Sequence, residues 1–178
     1  MPTEHTAATE RPEPTVVARG EQPYAAIRGR LTMESFGLIA DRMPELFGWV
    51  AAHGTEPVGG PFFRYNVIAA DGQLEVEAGV PVEAAPEPEG DVLVGVLPAG
   101  RYVTVPHVGH PDQLVEITEQ LLTWAADQDL EWDLSRTADG DEHWACRLET
   151  FKTDPRLEPD PAKWEAEVAI RLADQPTA

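Results

Sequence analysis

Apolar residues that alternate with polar ones predict a chain built largely of β-strands. In such a segment every second side chain points to the same face of a sheet, and glycine, proline or aspartate marks the ends. The segments that follow this pattern are residues 24–29, 62–68, 74–82, 92–97, 101–105, 144–151 and 164–172. The turn Asp71-Gly72 makes a hairpin of the second and third of these segments.

Two other segments have helical spacing. From Thr32 to Gly54, apolar residues recur at every third or fourth position, which is typical of an amphipathic helix. Pro44 lies inside this segment, and because it has no N–H to donate, we expect the helix to kink or to restart there. Residues 111–128 show the same spacing, with a proline in the first turn. The chain is therefore predicted to be of the α+β class.

The elements occur twice, in the same order of strand, helix and hairpin. Residues 24–27 resemble 102–105, residues 47–52 resemble 122–126, and residues 75–82 resemble 165–172. This repeat predicts two β-α-β-β units in one antiparallel sheet, with helices on one face and a ligand cleft on the other. The predicted boundaries are a disordered lead at 1–14, a single domain at 15–172 with halves 15–82 and 92–172, an acidic linker at 83–91 and a tail at 173–178.

The helix-free face of that sheet is the expected ligand site. Alternation places Glu149 on the same face as Arg147 and Phe151, whereas Trp144 falls on the other face unless a bulge intervenes. The repeat makes Tyr65 of the first hairpin the counterpart of Glu149. The side chains expected on this open face are Tyr65, Glu75, Glu77, Glu149, Phe151, Glu165 and Glu167.

The net charge restricts the possible partners. Thirteen Lys and Arg residues stand against 32 Asp and Glu, which gives a net charge of −19 and a pI near 4.4. Such a chain repels phosphates and anionic lipids, so neither direct nucleic-acid binding nor membrane binding is expected. Cationic small molecules or a basic protein surface are the natural partners, although acidity can also serve solubility alone.

Cysteine usage and hydropathy predict the compartment. Cys146 is the single cysteine, so it forms no intrachain disulfide, and we expect a packed thiol rather than a nucleophile. The first 14 residues lack a basic region followed by an apolar run, and no apolar stretch reaches 18 residues. A cytoplasmic protein is therefore predicted.

Five motifs in the right order resemble the GyrI-like small-molecule-binding family, which also supplies the effector-binding domain of some AraC-type and MerR-type transcription regulators. The motifs are residues 46–54, 60–66, 75–82, 97–102 and 148–155. The resemblance implies a duplicated, SHS2-like β-α-β-β fold, an aromatic-lined cleft, and an acidic residue at the position of Glu149. Phe151 stands where a tyrosine is expected. Because the resemblance runs from about Val16 to Leu172, we expect a stand-alone form without its own DNA-binding domain.

The leading functional prediction is a binding protein for hydrophobic, often cationic aromatic molecules. Its candidate ligand-binding residues are Tyr65, Glu77, Tyr102, Trp144, Glu149, Phe151 and Glu167. One alternative is a hydrolase of cyclopropane-containing genotoxins, with Glu149 and Tyr65 as catalytic base and acid. Another is a protein-interaction module that acts on gyrase or on a separate regulator. No cofactor is expected, and no metal site either, because His107 and His110 lack a third ligand.

Overall fold

Ten strands form one antiparallel sheet in the computed structural model, which describes residues 13–174. In chain order the strands are β1 (Thr15–Arg19), β2 (Gln22–Leu31), β3 (Phe62–Ile68), β4 (Leu74–Pro81), β5 (Val92–Leu97), β6 (Gly100–Val108), β7 (Leu134–Arg136), β8 (Glu142–Trp144), β9 (Arg147–Phe151) and β10 (Glu165–Arg171). Across the sheet the order is β1-β6-β10-β9-β3-β4-β2-β5, while β8 pairs with both β3 and β7.

Within residues 13–174, three α-helices accompany the sheet: α1 (Gly37–Ala40), α2 (Met43–Ala52) and α3 (Leu114–Asp127). Pro44 lies in the first turn of α2, where its missing N–H leaves no helical hydrogen bond broken, so the helix restarts as predicted. The apolar sides of α1 and α2 pack on β2 and β4, and that of α3 packs on β6 and β10. All three cover the same side of the sheet, which we term the helix face. The predicted α+β class is confirmed.

Each half of the sheet runs strand, helix, strand, strand. The first half uses β2, α2, β3 and β4, and the second uses β6, α3, β9 and β10. The halves meet where β3 pairs with β9, with Phe62 opposite Thr150, Phe63 opposite Glu149 and Arg64 opposite Leu148. That the two halves are copies of one unit remains a prediction, as do the domain boundaries.

The sheet curls until its two ends approach each other. β1 and β5 are its edge strands, yet β1 is joined to β2 through only two residues, and β5 is joined to β6 through only two. Such short connections require that the β1–β6 edge and the β2–β5 edge lie close together. The side facing into this curl, opposite the helices, is termed the inner face.

The inner face is packed rather than open. Its buried residues come from strands of both halves and are Tyr24, Ala26, Phe62, Leu97, Tyr102, Cys146, Leu148 and Ala169. Gly79 faces Phe62 so closely that a Cβ would lie 2.5 Å from the ring, so the absence of a side chain there admits the aromatic. Burial of Cys146 agrees with the expected packed thiol.

The strand predicted at residues 144–151 is interrupted. β8 ends at Trp144, the chain bends at Ala145, and β9 begins at Arg147. The bend returns Trp144 to the face that carries Arg147, as expected only if a bulge intervened. Most of the predicted lead, residues 1–12, and the last four residues of the predicted tail, 175–178, lie outside the described part of the chain.

Candidate functional site

Glu149 lies on the helix face, between Phe63 of β3 and Val168 of β10. The Tyr65 hydroxyl lies beside its carboxylate and lowers the pKa of the acid. Because Tyr65 follows Phe63 by two positions on β3, alternation delivers both side chains to this face. The structure thus brings Glu149 and Tyr65 together, but the prediction that they lie on the helix-free face is wrong.

Aromatic rings surround this acid–tyrosine pair. Phe63 meets Phe151 edge-on, with 5.5 Å between the ring centroids, so Phe151 also belongs to the helix face rather than the open one. Phe36, just before α1, meets Phe63 edge-on at 4.8 Å and stacks on Tyr65 at 6.0 Å. We term the group Phe36, Phe63, Tyr65, Glu149 and Phe151 the Glu149 site. Phe36 closes it from the helix side.

A protein cation also lies beside the site. The Arg147 guanidinium is 5.9 Å from the centre of the Tyr65 ring and 4.7 Å from that of the Trp144 ring, so it is held by cation–π contacts. Burial lowers the pKa of Arg147, and the charges of Glu142 and Glu149 partly oppose that shift. Trp144 therefore contacts the site through Arg147 rather than through Glu149.

Burial controls the ionisation of the acid. Desolvation raises the pKa of Glu149, while the Tyr65 hydrogen bond and the Arg147 charge act in the opposite direction. Burial also raises the pKa of Tyr65, and the neighbouring Glu149 charge raises it further. A half-buried carboxylate whose ionisation is opposed in this way gains from an additional cationic partner.

Glu77 lies on the inner face and belongs to a different network. It is 1% exposed and accepts hydrogen bonds from the Tyr24 hydroxyl at 2.8 Å and from the Asn66 amide at 2.5 Å. Arg64 donates to the Tyr24 hydroxyl at 2.8 Å and to the Ala145 carbonyl at 2.7 Å. Since Ala145 belongs to the second half, this network joins the two halves, and Glu77 does not reach Glu149.

Tyr102 and Glu167 also lie on the inner face, apart from the Glu149 site. Two cavities of about 630 and 510 Å³ open on this face. The larger, termed the groove, is lined in part by Arg19, Phe62, Tyr102, Leu148, Lys152 and Glu167. The smaller is lined in part by Tyr24, Arg28, Arg64, Glu77 and Trp144. The candidate residues predicted for one cleft are thus divided between two faces.

Sequence reasoning missed Phe36, Phe63 and Arg147 as members of the site or its border. Phe63 has the same alternation as Tyr65, so the pattern that selected one could have selected the other. Phe36 falls within the predicted helical segment, and its spacing there does not show that its ring packs on Phe63 and Tyr65. Arg147 was placed on the correct face, but its position over two aromatic rings depends on the bend at Ala145.

The structure is an α+β domain in which a curled antiparallel sheet, covered by helices on one face, holds a carboxylate among aromatic rings. The sequence profile of the GyrI-like small molecule binding domain matches residues 12–173. The chain belongs to this family. A comparison with curated protein sequences found no match.

Solved structures share the fold. The EcmrR C-terminal domain superposes with a TM-score of 0.71 at 18% identity, covering 92% of this chain and 99% of that domain. In an EcmrR–DNA complex the chain spans 58% of the EcmrR polypeptide. SAV2435 bound to tetraphenylphosphonium gives a TM-score of 0.59 at 11% identity, with 90% and 94% coverage. A hydrolase from Listeria innocua gives 0.55 at 11% identity, with 92% and 93% coverage.

Membrane insertion through a helix finds no support in the described residues. None of their helices combines the length and the apolar character that spanning a bilayer requires.

Proposed function

We propose that the chain binds a hydrophobic organic cation at the Glu149 site. The observation that carries this proposal is the position of the half-buried Glu149 carboxylate, opposite Phe63 in the sheet and beside the rings of Phe36 and Phe151. A cation supplies the charge partner that burial has removed, and the ring faces add cation–π attraction. SAV2435, which shares the fold, was solved with tetraphenylphosphonium, a ligand of this chemistry.

Two features of the site determine how such a ligand enters. Phe36 packs on Phe63 and Tyr65 and closes the site, so a ligand has to displace this ring. Arg147 is already near Glu149, so a bound cation either competes with the guanidinium or turns it toward Glu142, its other acidic neighbour. The proposed site is therefore closed and partly neutralised until the ligand arrives.

The experiment compares two ligands that differ mainly in charge, methyltriphenylphosphonium and the neutral triphenylphosphine oxide. At an effective dielectric of about 20, a cation about 8 Å from Glu149 gains about 2 kcal/mol, so Glu149→Gln should weaken phosphonium binding about thirtyfold in calorimetry. The oxide should lose less than about twofold. Glu165→Gln, a matched loss of an exposed inner-face charge, should change neither affinity. Equal losses for both ligands in Glu149→Gln would contradict the proposal.

A second candidate function, hydrolysis of a strained cyclopropane-containing genotoxin, is favoured by the proximity of the Tyr65 hydroxyl to Glu149. A tyrosine with a raised pKa stays protonated and can donate, while an ionised glutamate can activate water. This reading expects a ring-opened product over multiple turnovers, lost in both Glu149→Gln and Tyr65→Phe. Recovery of the unchanged compound after stoichiometric binding would leave binding as the function.

A further inference from the structure

The groove on the inner face is separate from the Glu149 site. It opens at the end of the curl where β1 turns into β2 and β5 turns into β6, and its volume of about 630 Å³ is within the range of small-molecule sites. Leu148 and Lys152 contribute to its lining, whereas Glu149, between them in the chain, points to the helix face. The backbone of β9 thus separates the two sites.

The groove has a rigid apolar floor. Phe62, Tyr102 and Leu148 line it and are 2%, 1% and 3% exposed, so they are fixed by the core behind them. The Tyr24 ring meets Phe62 edge-on at 5.5 Å, and the Tyr102 hydroxyl donates to the Pro98 carbonyl at 2.6 Å. A floor held in this way is already formed, so binding a flat ligand requires little reordering.

Backbone forms one wall of the groove. Gly60 lies so close to the end of β9 that a Cβ would overlap the carbonyl oxygen of Phe151. Gly59 precedes it, and a Cβ there would come within 3.3 Å of Pro81. Two adjacent residues without side chains leave a smooth wall beside the apolar floor, which suits a planar molecule.

The mouth of the groove carries two cations, Arg19 and Lys152, and two carboxylates, Glu21 and Glu167. Glu167 accepts a hydrogen bond from Arg19 at 2.5 Å and a longer one from Lys152 at 3.5 Å. Glu167 is 17% exposed in its side chain, whereas Lys152 is 48% exposed. One half-buried carboxylate thus has two cations, and Lys152 is the loosely held one. Glu21 also lines the mouth, and because Glu21 and Lys152 are both exposed, solvent partly screens the charge of each.

We propose that the groove is a second ligand site and that it binds a planar aromatic acid, with its rings on the Phe62–Tyr102–Leu148 floor and its anionic group on Lys152. Lys152 makes the longer of the two contacts to Glu167, at 3.5 Å, so it is the cation that can turn toward an anionic group. The two sites would therefore accept ligands of opposite charge, and the groove site does not depend on the function proposed for Glu149.

The test uses two fluorescent probes of similar shape, the anionic 1-anilinonaphthalene-8-sulfonate and the uncharged N-phenyl-1-naphthylamine. Lys152→Glu should weaken the sulfonate about five- to tenfold, the size expected when a partly exposed charge contact becomes a repulsion, and leave the neutral probe within about twofold. Lys163→Glu makes the same charge change at the other lysine of the chain and should alter neither. Thr150→Trp, which places an indole in the groove, should abolish binding of both probes.

Three results would overturn the inference. Equal weakening of the sulfonate by Lys152→Glu and Lys163→Glu would show a response to net charge alone. Unchanged binding to Thr150→Trp, with a normal melting curve, would place the probes elsewhere. Full displacement of the sulfonate by methyltriphenylphosphonium, or its loss in Glu149→Gln, would assign it to the Glu149 site. If Thr150→Trp does not fold, the lysine pair and the competition decide the question.

Discussion

Truncating Phe36 to alanine should destabilise the protein and yet speed the entry of its ligand. Phe36 is half-buried and contacts Phe63 and Tyr65 at ring distances of 4.8 and 6.0 Å. Truncating a fully buried phenylalanine costs about 3–5 kcal/mol, so a half-buried one should cost about 2 kcal/mol. If these contacts hold the Glu149 site closed, the same energy opposes opening, and its loss raises the open population up to about thirtyfold.

Stopped-flow tryptophan fluorescence with methyltriphenylphosphonium measures this directly. Phe36→Ala should raise the association rate constant by up to the same factor, while urea unfolding shows a free energy lower by about 2 kcal/mol. Leu38→Ala is the matched control, because Leu38 lies on α1 but is 71% exposed and should alter neither value by much. Slower association together with weaker binding in Phe36→Ala would refute the reasoning, since Phe36 would then be a wall of the site rather than its cover.

Three further predictions concern charge. Burial raises the pKa of Glu149 in the folded state above its ordinary 4.5, so the protonated acid favours the fold and stability falls as pH rises through the folded-state pKa. The melting temperature of Glu149→Gln, relative to that of the wild type, should therefore increase from pH 4.5 to pH 8. Over the same range the affinity of the wild type for the phosphonium should also increase, because more of the acid is ionised. Arg147→Met removes the protein's own cation and should tighten phosphonium binding about tenfold in calorimetry, while the affinity for triphenylphosphine oxide stays unchanged. Weaker binding of both ligands would instead indicate that Arg147 has a structural role. Glu77→Ala leaves Tyr24 and Asn66 without their acceptor and should lower the free energy of unfolding in urea by about 2–4 kcal/mol. Glu75→Ala, on the same strand, should lower it by under about 1 kcal/mol. Similar losses in the two variants would contradict a stabilising role for the Glu77 network.

The pattern of apolar and polar residues is sufficient to predict most of the strands and helices and their order along the chain. Two-residue alternation determines which side chains share a face, so the placing of Val76 and Ala78 against the helices, with Glu77 opposite, was predictable from the sequence. Pro44 was equally informative, because its backbone chemistry allows few positions in a helix. Local rules of this kind need no knowledge of distant contacts.

Which face holds the ligand site was not predictable in the same way. Alternation groups the side chains of one strand by face, but it does not relate the face of Glu77 on β4 to that of Glu149 on β9. Only the pairing of β3 with both strands shows that the two carboxylates lie on opposite faces. The register that places Phe63 opposite Glu149 joins residues more than 80 positions apart. The curl of the sheet, which fills the inner face with Tyr24 and Tyr102, likewise follows from the path of the connections rather than from any segment alone.

The position of β9 has a consequence for any molecule that binds on either side of it. Its successive side chains alternate between the Glu149 site and the groove, and only one layer of backbone lies between them. A shift of this strand that makes room for a guest on one face moves Leu148 and Glu149 together. Whatever free energy of coupling results is reciprocal: a groove ligand that changes phosphonium affinity by some factor must have its own affinity changed by the same factor.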